Sequence, residues 1–296
     1  MKRLLATAVF AGLLSACAGV SAAGLTKSET PRQSLGTTGK AMSALKSVRF
    51  DANGTVEVTL PQALVDQLKA KGGSQAGFLS SKMSVALTIT GAAQRPYRLQ
   101  ATVTAKLGGL TIQTEVVAAS GNLYYKDPMT SRWEIVKRAG AEASHGSSAK
   151  LSYQTILDTA TSITEITDPN TSIGGVAVDH YRVVPDLVKL FDQASAGQSP
   201  TNATAAGALK LVLQNAILTA DVWTGTSDHL IRRLSYDASL SADLSQMSAA
   251  RASEAPDKAP AFSLPAGSMA QVTAHIVIDL HDFNTQVNIQ APTVAG

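Results

Sequence analysis

The densest group of residues able to hold a metal ion or move a proton is His275, Asp279, His281 and Asp282, near the C-terminal end of the chain. Alternation with period two puts His275, Asp279 and His281 on one side of a strand, opposite Ile276, Ile278 and Leu280. At about 3.3 Å per residue, His275 and Asp279 stand roughly 13 Å apart, too far to share one ion. Asp279 and His281 alone supply only two ligands, so the group reads as a solvated outer face and no metal is expected. Arg232-Arg233 is a second candidate. Alternation turns one of the two toward each face, and a guanidinium on the covered side would suit a phosphate or carboxylate head group. A cross-strand ion pair is the favoured reading. Asp228-His229 has the composition of a tight turn. No phosphate-binding loop, dinucleotide fingerprint, zinc-protease helix or nucleophile elbow occurs. A Ser-His-Asp triad is recognised by geometry, and the many serines single out no combination. The chain therefore reads as non-enzymatic and without a cofactor, a hydrolase with an unrecognised site being the minor alternative.

The remaining residue with chemistry of its own is Cys17, the single cysteine. One thiol makes neither an intrachain disulfide nor a multi-cysteine zinc site. Lys2 and Arg3 precede an apolar run from Leu4 to Leu14. The run is short of the roughly 20 residues that cross a bilayer, but it suits the core of an export signal. It ends in Leu14-Ser15-Ala16-Cys17, which resembles the lipobox of bacterial lipoproteins. That resemblance implies cleavage before Cys17 and attachment of acyl chains such as palmitate to its thiol and new amine. Two or three such chains anchor stably where one binds only marginally. Residues 1–16 then form a signal peptide, and residues 17–40 the lipidated cysteine and a flexible tether. Residues 18–39 are mostly Gly, Ser, Thr and Ala with scattered charge and no apolar period. The expected location is the periplasmic or cell-surface side of a cell or outer membrane, held by the lipid anchor.

Composition narrows the function further. The 296 residues are 45% hydrophobic and 16% charged, with 25 Lys+Arg against 22 Asp+Glu. Such hydrophobicity at so little net charge is not that of a disordered chain. A charge near zero also gives nucleic acid no concentrated basic field to bind. Trp133, Trp223, Tyr97 and Tyr181 fall on expected strands and read as packing residues, since no basic stripe accompanies them.

From Val48 to Gln290 the pattern is of strands. Met83, Val85, Leu87 and Ile89 alternate with small polar residues, and so do Tyr97, Leu99, Ala101, Val103, Ala105 and Leu107. Gly108-Gly109 and Gly121-Asn122 mark hairpins, and Asn53-Gly54 reads as a further turn. About ten or eleven strands are expected, ending with Val272–Phe283 and a short Val287–Gln290. Each has one apolar face, as in a sheet wetted on one side. Helical spacing appears near Leu64 and Leu68, Tyr153 to Ala160, Leu187 to Phe191, and Leu209 to Ala216. The fold class is α+β: a single large curved antiparallel sheet, a half-barrel, with a few helices covering its concave apolar face. Residues 195–207 and 242–268 read as long loops, disordered or forming a mobile flap.

Several stretches carry a family resemblance. They are Gly174-Gly175-Val176 through Val183, Leu218 through Gly225, Asp228 through Leu234, and the closing Asp282-Phe283-Asn284 and Ile289-Gln290-Ala291-Pro292. In order and spacing these resemble the LppX/LprG-type bacterial lipoproteins, themselves similar in fold to the carriers LolA and LolB. The resemblance implies that residues 41–296 form one LolA-like lipid-binding domain with an acyl-chain cavity between sheet and helices. It implies a role in moving lipids or lipoproteins, with a membrane or envelope transport partner. The expected cavity wall is Val85, Leu87, Ile89, Leu99, Val103, Ile112 and Ile276. The alternative is an interaction or envelope-sensor lipoprotein that uses the same fold without lipid transfer.

Overall fold

The computed structural model describes residues 29–72, 80–136, 153–167, 171–195, 203–246 and 264–294. The signal peptide and Cys17 lie outside the described residues, as does most of the 242–268 connection. In chain order the elements are α1 (Pro31–Ser43), β1 (Ser47–Thr59), α2 (Gln62–Gly72), β2 (Lys82–Gln94), β3 (Arg98–Leu107), β4 (Leu110–Ala119), β5 (Asn122–Lys126) and β6 (Trp133–Ile135). There follow α3 (Tyr153–Thr159), β7 (Ala160–Ile166), β8 (Ser172–Ile173), β9 (Val176–Pro185), α4 (Leu187–Ser195), α5 (Ala203–Gln214), β10 (Ile217–Gly225), β11 (Ile231–Asp243) and β12 (Met269–His281).

The strands form one open antiparallel sheet, ordered β6-β5-β4-β3-β2-β1-β12-β11-β10-β9-β7, with β8 paired to β9. Two meanders meet where the first strand pairs with the last: Phe50 stands opposite Leu280, and Ala52 opposite Ile278. The sheet stays open between β6 and β7, a half-barrel. Gly174 and Gly175 both have positive φ, the backbone a tight primed hairpin between β8 and β9 requires.

The first departure from the sequence reading is α1. Residues expected to be tether form a helix from Pro31, capped by a reciprocal pair: Gln33 N–H donates to Thr30 Oγ1, and Thr30 N–H donates to Gln33 Oε1. Its Gly, Ser and Thr content favours helix poorly, so its stability comes from burial. Leu35, Thr38 and Met42 point into the core. Arg32 donates to the carbonyl of Leu157, tying α1 to the end of α3. Residues 31–40, read as tether, thus pack as part of α1 against the sheet.

Other corrections are local. Asn53-Gly54 is no turn, for β1 runs straight through it. A Cβ on Gly54 would lie 2.7 Å from the His275 carbonyl of β12, so the glycine permits a close strand approach. Tyr97, read as the first inward residue of its strand, sits instead in the β2–β3 turn, 88% exposed. The 195–207 loop is shorter than expected because α5 begins at Ala203. Val287–Gln290 is no strand. It belongs to an extended C-terminal segment that docks by side chains: Val287 and Ile289 pack with Ala92, Val117, Ala119 and Tyr124, while Arg98 donates to the Ile289 carbonyl at 3.2 Å. Those sheet residues alternate with the inward set, so the segment covers part of the outer face of β2–β5. The sheet is not simply wet on one side.

The main core lies on the opposite, inner face. Leu35, Met42 and Leu157 of the helices join Phe50, Ala52, Ile89, Leu99, Ala101, Val116, Val222 and Ile278 of the sheet. Gly39 marks how tightly α1 docks, since a Cβ there would stand 2.7 Å from Cδ1 of Tyr153. A Cβ on Gly36 would meet nothing within 4 Å. Urea unfolding should therefore separate two changes of equal helix propensity. Gly36→Ala is expected to stabilise by about 0.5–1 kcal/mol, and Gly39→Ala to destabilise by about 1–3 kcal/mol through overpacking. Equal effects would contradict this docking of α1.

Candidate functional site

The polar residues singled out by type lie on the outer face, where the register pairs them off. Arg233 faces Asp279 and donates to both carboxylate oxygens, at 2.6 and 3.1 Å. His275 Nδ1 lies 2.7 Å from Asp237, and His281 Nε2 lies 3.0 Å from Asp51. The cross-strand ion pair expected for one of the two arginines is thus present. No group of three metal-ligating side chains occurs among the described residues. Arg232 turns to the other side and pairs with Asp228, its guanidinium 4.6 Å above the Phe283 ring. Asp228 and His229 form the expected turn, His229 with positive φ.

A second polar group was not foreseen. Asp221 accepts a two-pronged contact from Arg182 (3.0 and 3.1 Å) and lies 3.0 Å from His180 Nε2. The His180 ring stacks on Trp223 at 4.2 Å. Arg182 keeps its charge more firmly than usual because of the hydrogen bond to Asp221 and its negative charge. The signal was present in the sequence as two alternating pairs, His180/Arg182 and Asp221/Trp223, but only register makes them neighbours.

The inner face carries the apolar candidates. Pairing of β12 with β1, β1 with β2, β2 with β3 and β3 with β4 puts Val85, Leu87, Ile89, Leu99, Val103, Ile112 and Ile276 on this one face. Depth divides them. Ile89 and Leu99 are 4% and 1% exposed and belong to the core at the end of the sheet where α1 and α3 pack. Val85, Leu87, Val103 and Ile276 are half-buried, and Ile112 is 41% exposed. Leu110, opposite Leu107 at the β3–β4 hairpin, is exposed as well. Among the described residues the inner face thus grades from sealed core to open apolar surface. What this arrangement can do chemically is accept hydrocarbon, since burying apolar surface yields about 25 cal/mol per Å².

A groove of about 260 Å³ lies elsewhere, on the outer face, among Thr55, Glu57, Thr219, Asp237, Thr273 and His275. Its walls combine exposed Ile217 and two alanines with threonines, a serine, His275 and the carboxylates of Glu57 and Asp237.

The outer-face charges should differ in what they contribute. The Asp221 side chain is 10% exposed, and that of Asp279 is 37%. Thermal unfolding is expected to show Asp221→Ala costing about 1.5–3 kcal/mol, because a buried charge-assisted bond is lost. Asp279→Ala should cost less than about 1 kcal/mol, as for exposed ion pairs. The reverse order would contradict this placement of the two carboxylates.

No protein-family model matches the chain, and neither does any curated protein sequence. Among solved structures, the lipoprotein LppX of Mycobacterium tuberculosis is similar over 88% of this chain and 98% of its own, with 12% identity and a TM-score of 0.43. LprF of Mycobacterium bovis is similar over 88% and 96%, with 16% identity and a TM-score of 0.39. A LolA-superfamily protein of Nitrosomonas europaea is similar over 88% and 96%, with 8% identity and a TM-score of 0.23.

Proposed function

We propose that this chain is a lipid-anchored envelope protein that holds a lipid or lipoprotein acyl chain against the inner face of its sheet, as a carrier. The observation that carries the reading is the graded inner face. Apolar residues continue past the buried core into half-buried Val85, Leu87 and Ile276 and exposed Ile112, on the side that the helices cover. A face of this kind lowers its free energy by taking up hydrocarbon. No helix among the described residues is long and apolar enough to cross a membrane. Attachment through Cys17 supplies the membrane contact instead, and two or more acyl chains make it lasting.

The Cys17→Ser chain tests both parts. It is expected to leave the membrane fraction. After purification without detergent, mass spectrometry of its organic extract should find about one lipid per chain. Unchanged membrane association would overturn the anchor, and an extract free of lipid would overturn the cargo. Leu87→Arg, which sets a charge on the open part of the face, should abolish the bound lipid while the domain stays folded.

A further inference from the structure

Tyr153, the first residue of α3, holds a hydroxyl that water does not reach and that no group among the described residues hydrogen-bonds. Its ring lies against α1 beside Gly39. Tyr181 on β9, also buried, is satisfied by Ser34 at 2.9 Å. An unpaired buried hydroxyl destabilises a protein, and native structures keep few of them without a reason. Burial, with the nearby phenols of Tyr236 and Tyr181, pushes the Tyr153 pKa up, so the group remains a protonated donor. It lacks an acceptor.

Tyr236, close to Tyr153, starts a row that the register carries across the inner face. Tyr236 stands opposite Ile276, Ile276 opposite Gly54, Gly54 opposite Leu87, Leu87 opposite Ala105, and Ala105 opposite Ile112. Five strand-to-strand steps of about 4.8 Å make the row roughly 24 Å long. Beyond Tyr236 it is wholly apolar, it is low at Gly54 and Ala105, and it ends at exposed Ile112. One end therefore offers the unpaired hydroxyl of Tyr153, with the phenol of Tyr236 near it, and the other offers hydrocarbon contact.

We propose that the ligand is an acyl lipid whose carbonyl oxygen accepts a hydrogen bond from Tyr153 Oη, with its tail lying along the row toward Ile112. The assignment rests on the carrier reading above and adds an orientation and a head group. A pure hydrocarbon would leave the hydroxyl unpaired. A head group with several charges would lose its hydration for one bond.

Tyr153→Phe keeps the ring and removes only the hydroxyl. In the full-length Cys17→Ser background, fluorescence titrations would use cis-parinaric acid, its methyl ester, and diphenylhexatriene, which has no head group. The substitution is expected to weaken one or both acyl probes about five- to tenfold, leave diphenylhexatriene unchanged, and raise the urea midpoint of the lipid-free protein. Loss confined to the acid assigns a free fatty acid, and loss of both assigns an acyl ester or acid alike. Acyl probes that bind Tyr153→Phe as they bind the parent would overturn the head-group assignment alone. Equal loss of all three, or a lower urea midpoint, would do the same by showing a structural role. A parent chain that binds none of the probes would overturn the carrier reading with it.

Discussion

An antiparallel sheet that does not close on itself must find cover for its apolar face, and this constraint organises the molecule. Strand pairing satisfies the backbone, but half the side chains of β1, β2, β3 and β12 still face away from the wet side. Helices α1 and α3 seal one end of that face through Leu35, Met42 and Leu157. Toward the β3–β4 hairpin the same face opens, ending at Leu107, Leu110 and Ile112. On the other side, the C-terminal segment places Val287 and Ile289 over β2–β5. The helices, the closing segment and the open trough are answers to one demand, met fully at one end of the sheet and incompletely at the other.

How much of this was legible in the sequence depends on whether the signal was local. Strands β2 and β3 announce themselves by alternation, and their faces follow from period two alone. The seven apolar candidates share a face for the same reason. Helix α1 was hidden because its stabilising contacts, Leu35 and Thr38 against the core and Gly39 against Tyr153, are all distant in sequence. Its intrinsic propensity argues for coil, and only the Thr30/Gln33 capping pair was there to be read. The docking of Ile289 fails to show for a related reason, since two apolar residues at period two also spell a strand. Gly54 misled through its neighbour: Asn-Gly is a strong hairpin signal, yet here the glycine makes room for the backbone of β12. Depth was beyond the sequence altogether. Nothing in the residue types distinguishes Ile89, sealed, from Ile112, open.

The polar side chains tell a consistent story from the outer face. Arg233 with Asp279, His275 with Asp237, and Arg182 and His180 with Asp221 are cross-strand partners joined by hydrogen bonds and ion pairs. Residues that looked like chemistry in the sequence are, by register, the stitching of the wet side of the sheet. Among the described residues, the buried polar atoms left without a partner on the helix-covered side include the hydroxyls of Tyr153 and Thr38 and Nε of Arg232. In the proposed reading, the Tyr153 hydroxyl is the one of these groups that a bound amphiphile would meet.

Methyl NMR of the Cys17→Ser chain titrated with oleic acid tests this most directly, because the two faces of the sheet serve as each other's control. Shifts are expected at Leu87, Ile112 and Ile276 on the inner face, saturating at one equivalent, while Val117 and Ile289 on the outer face stay in place. Shifts centred on Val117 and Ile289, or none at saturating oleic acid, would contradict the account.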